Sequence, residues 1–231
     1  NGSFNSTIDI ARDLSNSLVR VAKGAGLHCE AILTDMNQVL GKSAGHTLEI
    51  LECIKYIKND FKDHRLEKIT NELISSLLVN IYKISKEEAY NKINTVINNG
   101  LAAEKFEMMV AGLGGPKNIL SSYEKDLINT SVRKDVFSSE EGWIEKIYTR
   151  ELGLILIELG GGRKQVTDKI DYGVGYDNVL NIGDEVNSST PLLSLYSNKN
   201  IDENLINKIK SCFIISDKKT QKLSEIFEII N

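Results

Sequence analysis

Apolar residues recur three and four apart through almost the whole first half of this chain, and that period commits the half to helices. From Ile8 to Ala22 the repeat runs Ile10, Leu14, Leu18, Val21, and Gly24 and Gly26 stop it. A short run, Ala31-Ile32-Leu33, is bracketed by that stop and by the polar stretch Thr34 to Gln38, which predicts a buried strand opening into a loop. Helix, strand and loop in that order predict a parallel α/β sheet. After a loop through Gly41 to Gly45, a helix carries Leu48, Leu51, Ile54 and Ile57 on one face. Further helices are predicted from Leu66 to Tyr82, from Ser85 to Asn98 and from Ala102 to Leu113, the last stopped by Gly114-Gly115-Pro116. Ser85 and Glu88 have capping-box spacing, hydroxyl to N3 amide and carboxylate back to the cap amide.

Residues 121–141 are polar and without sustained period, so a linker is expected there, between units at 1–120 and 142–231. Beyond it Gly142, Gly153, Gly160 to Gly162, Gly173, Gly175 and Gly183 punctuate short apolar runs. The runs Trp143-Ile144, Leu154 to Ile157 and Leu192 to Leu195 read as antiparallel strands joined by tight turns. A last helical stretch runs roughly from Ile201 to Ile214 and leaves a tail of ambiguous type.

With 231 residues, 41% hydrophobic, 26% charged and only two prolines, the chain is neither disordered nor collagen-like nor a disulfide scaffold. No apolar run reaches the roughly 18 residues of a membrane helix. Net charge is −4 with both signs interleaved, which excludes an announced polyanion-binding face, so no nucleic-acid or membrane partner is expected. Cys29, Cys53 and Cys212 are odd in number, widely spaced and form no CxxC pair, as in a reducing compartment, so a cytoplasmic location is expected. Asn5-Ser6-Thr7 and Asn129-Thr130-Ser131 match glycosylation acceptors with no signal peptide before them, and are read as coincidence. The chain opens Asn1-Gly2-Ser3-Phe4, without an initiator Met, and is expected to be part of a longer product.

Four constellations invite chemistry. His46, Glu49 and Glu52 stand in HxxE spacing with a further acid, but His46 and Glu52 lie roughly 120° apart around a helix, which disfavours zinc. An oxygen site for a hard cation, made of loop carbonyls and one carboxylate, stays open. Gly160-Gly161-Gly162-Arg163-Lys164 offers amides and two cations, yet it leads into no helix N-terminus, so a flexible hairpin turn is preferred to a phosphate cradle. Asp35 at a strand end is either a chemical group or a loop-structuring one. No nucleophile with its base is set up. Gly183-Asp184-Glu185-Val186 with Pro191-Leu192-Leu193 fits a barrel-sandwich shape, without the modifiable Lys of a lipoyl or biotinyl carrier.

Taken together, several segments resemble the thymidine and pyrimidine-nucleoside phosphorylases. The strongest is Leu33-Thr34-Asp35-Met36-Asn37-Gln38-Val39-Leu40-Gly41, continuing through Ala44-Gly45-His46-Thr47-Leu48-Glu49 to Glu52. Lys23 to Gly26, Gly100 to Phe106, Gly114-Gly115-Pro116, Leu159 to Arg163 and Asp171 to Gly175 support it in family order. Val39 stands where the family commonly has Pro, and His46 where it commonly has Asn.

The resemblance implies an α/β fold class: a partial, helix-rich catalytic α/β domain holding part of a parallel or mixed sheet, then a smaller α+β, barrel-sandwich-like C-terminal domain. It implies reversible phosphorolysis of thymidine, with inorganic phosphate as co-substrate, a pyrimidine nucleoside as small-molecule partner, and a homodimer for the full-length enzyme. It places the principal phosphate- and base-binding groups upstream, so no catalytic residue is expected in this chain. Leu18 matches a position set against the base, with a core leucine as the alternative. Leu40 and Ser43 match backbone carbonyls, and Glu52 a carboxylate, that hold a potassium ion in some relatives; Ser43 replaces a more usual Ala. The Gly160 to Asp171 stretch matches a loop that orders as relatives close over substrate, a gating role. The other readings are a phosphorylase of broader pyrimidine-nucleoside or AMP specificity, and a non-catalytic binding module.

Overall fold

A computed structural model describes residues 2–127, 130 and 132–231. Helix α1 (Ile8–Gly24) begins where the side chain of Thr7 accepts a hydrogen bond from Ile10 N. Its apolar stripe is present, but on this helix Val19 alone is buried, and Leu18 is 58% exposed. The expected strand is β1 (Ala31–Thr34), paired antiparallel with the C-terminal β8 (Ile226–Ile230), with Ala31 opposite Ile230 and Thr34 opposite Ile226. The parallel neighbour inferred from element order is corrected for this pairing. The tail of ambiguous type is a strand, and it returns against β1 in the opposite direction.

Helices α2 (His46–Ile57), α3 (His64–Tyr82), α4 (Lys86–Asn98), α5 (Leu101–Gly112) and α6 (Ile119–Leu127) follow. Ser85 and Glu88 form the reciprocal capping box at the start of α4. Leu48, Leu51 and Ile54 of α2 pack against Ile119 and Tyr123 of α6 in a core of their own. No helix among the described residues is long and apolar enough to cross a membrane.

The second unit comprises β2 (Val132–Val136), β3 (Gly142–Ile147), α7 (Thr149–Leu159), β4 (Gly175–Asp177), β5 (Glu185–Val186), β6 (Leu193–Ser197), α8 (Glu203–Lys210) and β7 (Phe213–Ser216). Two antiparallel three-stranded sheets, β2-β6-β4 and β5-β3-β7, share one core with α7 and α8. Two expectations change here. The run Leu154 to Ile157 is helical, because Leu152, Ile155 and Leu159 are the buried positions and their spacing is three and four. The last helix ends at Lys210, and Phe213 to Ser216 leave it to pair with β3, Phe213 opposite Ile147. The stretch 121–141, expected to be a linker, holds most of α6 and all of β2, whose Val136 is buried. Asn129 and Ser131 of the acceptor-like triplet lie outside the described residues.

The two parts are stitched by the loop after β1. Asp35, fully buried, accepts at Oδ1 from Asn37 N (3.0 Å) and Asn37 Nδ2 (2.8 Å), and at Oδ2 from Gln38 Nε2 (2.8 Å) and Arg65 Nη1 (3.2 Å). Arg65 Nη2 also donates to the Asp35 carbonyl at 3.1 Å. The arginine is held by its own helix start, where Asp63 accepts from Arg65 N and Leu66 N. Gln38 then passes the order on, its Oε1 accepting from Ile182 N at 2.9 Å, while Thr149 Oγ1 donates to the Asn37 carbonyl at 2.8 Å. Asp35 is therefore a loop-structuring group, the second of the two roles its sequence position allowed.

Removing one member of a buried ion pair leaves the other unpaired in a medium that solvates it poorly. Asp35→Asn should therefore cost about 3–5 kcal/mol in urea unfolding, and Asp35→Asn with Arg65→Met should recover part of that loss. A single variant within 1 kcal/mol of the parent would refute this account (about the value of one ordinary hydrogen bond).

Candidate cation and ligand sites

The turn from Leu40 to Gly45 leads into α2, and Glu52, one turn and a half along that helix, reaches back to it. Glu52 Oε1 accepts from Lys42 N at 2.8 Å; Oε2 accepts from Ser43 N at 3.1 Å and from Ser43 Oγ. This approach requires glycine at position 41, where a Cβ would sit 2.7 Å from Glu52 Cδ. The far side of the turn is tied to the second unit. Ala44 and Tyr176 exchange backbone hydrogen bonds of 3.0 and 2.7 Å, and Val179 N donates to the Lys42 carbonyl at 3.0 Å. Those ties occupy the carbonyls of Lys42 and Ala44. Among the described residues, the carbonyls of Leu40, Gly41 and Ser43 accept no hydrogen bond.

Burial pushes the Glu52 carboxyl above its ordinary value, against the hydrogen bonds from Ser43 and Lys42 that favour the ionised form. Carboxylate and carbonyl oxygens are the donors a hard cation takes, and the Glu52 carboxylate is bonded to the turn that carries these unengaged carbonyls. Lys42, the one cation in the turn, is directed elsewhere, to Asp184 at 3.2 Å.

His46, Glu49 and Glu52 do not converge. Glu49 Oε1 accepts from Gly45 N at 2.9 Å, His46 Nε2 meets the Gly161 carbonyl at 3.2 Å, and Glu52 holds the turn. Among the described residues no group of three or more His, Cys, Asp or Glu is placed so that it could hold a metal ion.

Leu18 lies elsewhere. With Leu14, Met36, Asn37 and Phe227 it lines an open groove of about 530 Å³ between α1 and the β1–β8 ribbon. That groove shares no lining residue with the hollow beside Glu52, which Lys42, Lys55 and Asp177 also line. Phe227 is a wall that its sequence position did not single out, since it belongs to the tail whose strand character is set by pairing with β1.

The glycine-rich segment closes on itself. Gly160, at φ +105°, caps α7 in the left-handed conformation, and Gly161 N donates to the Leu156 carbonyl at 2.8 Å. The amides of Lys164 and Gln165 donate to Asp168 Oδ2 at 3.0 and 2.9 Å, so an internal carboxylate occupies the place an external anion would need. This is a helix cap opening a surface loop, where a hairpin turn was expected; the phosphate-cradle reading is not supported.

Residues 143–216, from β3 to β7, match the family model of the pyrimidine nucleoside phosphorylase C-terminal domain. Over 198 residues, 85% of the chain, the sequence is 40% identical to a thymidine phosphorylase of Colwellia psychrerythraea. The chain is thus similar to the thymidine and pyrimidine-nucleoside phosphorylases, and its residues 143–216 to their C-terminal domain. It spans 45% of that relative's length. The mixed helix-and-sheet architecture is consistent with an α/β fold followed by a C-terminal domain, although every strand pair among the described residues is antiparallel.

The raised pKa of Glu52 has a stability consequence of definite sign. Between the unfolded value near 4.5 and the higher folded one, the folded chain holds a proton that the unfolded chain has released. The stability this contributes is complete below the unfolded value and is lost as pH rises through the folded one. Glu52→Gln abolishes that titration, so the parent's stability relative to the variant should be greater at pH 4 than at pH 7. Urea midpoints of both proteins across that range check it, and parallel curves would contradict it.

Proposed function

We propose that the chain is the C-terminal portion of an enzyme that carries out reversible phosphorolysis of thymidine. In that reaction a phosphate oxygen attacks C1′, the C1′–N1 bond breaks, its electron pair leaves with the pyrimidine, and thymine and 2-deoxy-α-D-ribose 1-phosphate result. The observation that carries the reading is the 40% identity to a thymidine phosphorylase over 85% of this chain. In this reading residues 1–120, with α6 packed on α2, are the C-terminal part of the catalytic α/β domain, and 142–231, with β2 paired to β6, the C-terminal domain. The groups that fix phosphate and the polar edge of the base lie in the part of the enzyme this chain does not span. The full-length protein acts as a cytoplasmic homodimer.

Three parts of this chain then take roles. Leu18, on the open wall of its groove, sets an apolar surface against the base. The carbonyls of Leu40 and Ser43 and the carboxylate of Glu52 supply half of a potassium site. The bound ion would neutralise the buried carboxylate and brace the turn that leads into α2. The Gly160 to Asp171 loop gates the site and does not itself bind phosphate, as its engagement with Asp168 favours.

The full-length protein, given thymidine and phosphate, should release thymine, and should do so faster in potassium than in sodium buffer. Glu52→Gln should remove that difference between the two salts. The 231-residue chain alone should release none. Absence of phosphorolysis by the full-length protein would overturn the assignment, and turnover by the isolated chain would overturn the placement of the chemistry outside it.

A further inference from the structure

We propose that His46 is a positioning residue that fastens the glycine-rich loop at both of its ends. The loop departs from α7 at Gly160-Gly161 and returns to the body at Asp171-Tyr172, where Asp171 N donates to the Gly160 carbonyl at 2.8 Å. His46 stands on the first turn of α2 and touches both ends at once. Its Nε2, a donor because its partner is a carbonyl, meets Gly161 O at 3.2 Å. Its ring packs edge-on to Tyr172, with centroids 5.2 Å apart and planes at 89°.

The neighbouring backbone reinforces this seat. Gly45, the N-cap of α2, offers no side-chain acceptor, and the Tyr172 carbonyl supplies one by accepting from Thr47 N at 3.2 Å. Gly45 itself, at φ +121°, lets the turn approach β4, where a Cβ would meet Gly175 Cα at 2.7 Å. The start of α2 and the return of the loop are therefore one junction.

Inside the loop the order is self-contained. Asp168 takes the amides of Lys164 and Gln165, and Arg163 Nε donates to the Asp168 carbonyl at 3.2 Å. At the return, Asn198 Nδ2 also reaches Asp171 Oδ2 at 3.0 Å. A loop ordered within itself moves as a unit, so its position relative to the body is set by what grips its ends. His46 grips the departing and the returning segments together and ties both to the turn that Glu52 holds. The link between this grip and phosphorolysis rests on the proposed function; the grip itself does not.

Trypsin reads the grip directly in the 231-residue chain, because Arg163, Lys164 and Lys169 are exposed on the loop. His46→Ala should speed cleavage at these three sites about fivefold, the worth of one ordinary hydrogen bond, with cleavage elsewhere unchanged. His46→Gln, which restores an N–H of similar reach, should return the rate most of the way, and His46→Phe, which keeps the ring contact alone, should fall between. Unchanged loop cleavage in His46→Ala, or equal acceleration at every tryptic site, would overturn the proposal. In the full-length protein His46→Ala should raise KM for phosphate severalfold with kcat within about twofold, and His46→Gln should reverse it. Faster loop cleavage with an unaltered phosphate KM would refute the catalytic link and leave the grip standing. A full-length parent without phosphorolysis would refute the proposed function while the proteolysis still decides on His46.

Discussion

A carboxylate with no access to water has to be matched on both oxygens; groups from two places in the chain match the Asp35 carboxylate, and a third holds its backbone. Its loop supplies Asn37 and Gln38, α3 supplies Arg65, and the Asp35 amide donates to Glu225 O just before the last strand. Neither the loop amides nor Arg65 can move without leaving a buried charge under-solvated, which is the expensive outcome for such a site. The orientation of Gln38 follows from Asp35, and the contact of Gln38 with Ile182 N carries that orientation into the second unit. The turn from Leu40 to Gly45 is then suspended between two fixed ends, with Glu52 filling its concave side and Tyr176 pairing along its outer side.

Such a turn trades side chains for approach. Gly41 gives way to a carboxylate and Gly45 to the backbone of β4, so both glycines are needed for contact as much as for dihedral freedom. With the carbonyls of Lys42 and Ala44 engaged by the second unit, the unengaged ones belong to the turn whose amides the Glu52 carboxylate holds. A cation there would act on the start of α2, hence on the junction that His46 makes with the glycine-rich loop.

What the sequence disclosed was largely local. The helix from Ser85 could be read because its cap and its N3 acid are three residues apart, and α1 because its stripe and its glycine stop are contiguous. The role of Asp35 stayed open between two readings because its decisive partner, Arg65, lies thirty positions on in a helix whose own reading depends only on its apolar face. The run Leu154 to Ile157 misled because four consecutive apolar residues fit a strand or a buried helix equally. Only the burial of Leu152 and Leu159 on either side separates the two. The pairing of β8 with β1 joins opposite ends of the chain, and no period within either segment could announce it. Of the site positions, His46 was legible as a departure from the family pattern, whereas its partners Gly161 and Tyr172 were visible only in three dimensions.

The exposed stripe of α1 is the clearest case of a local pattern needing a non-local reason. Leu14, Leu18 and Val21 face solvent, and on α3 so do Leu73, Leu77 and Ile81, spaced four apart. Ile32 of β1 lines the hollow beside each helix, and among the described residues β1 pairs on one edge alone. Two apolar helix faces beside a half-paired strand are the arrangement of a sheet that has room to continue. Under the proposed function, the part of the enzyme beyond this chain would occupy that room. Leu18, bare in this chain, lines the groove that faces that room.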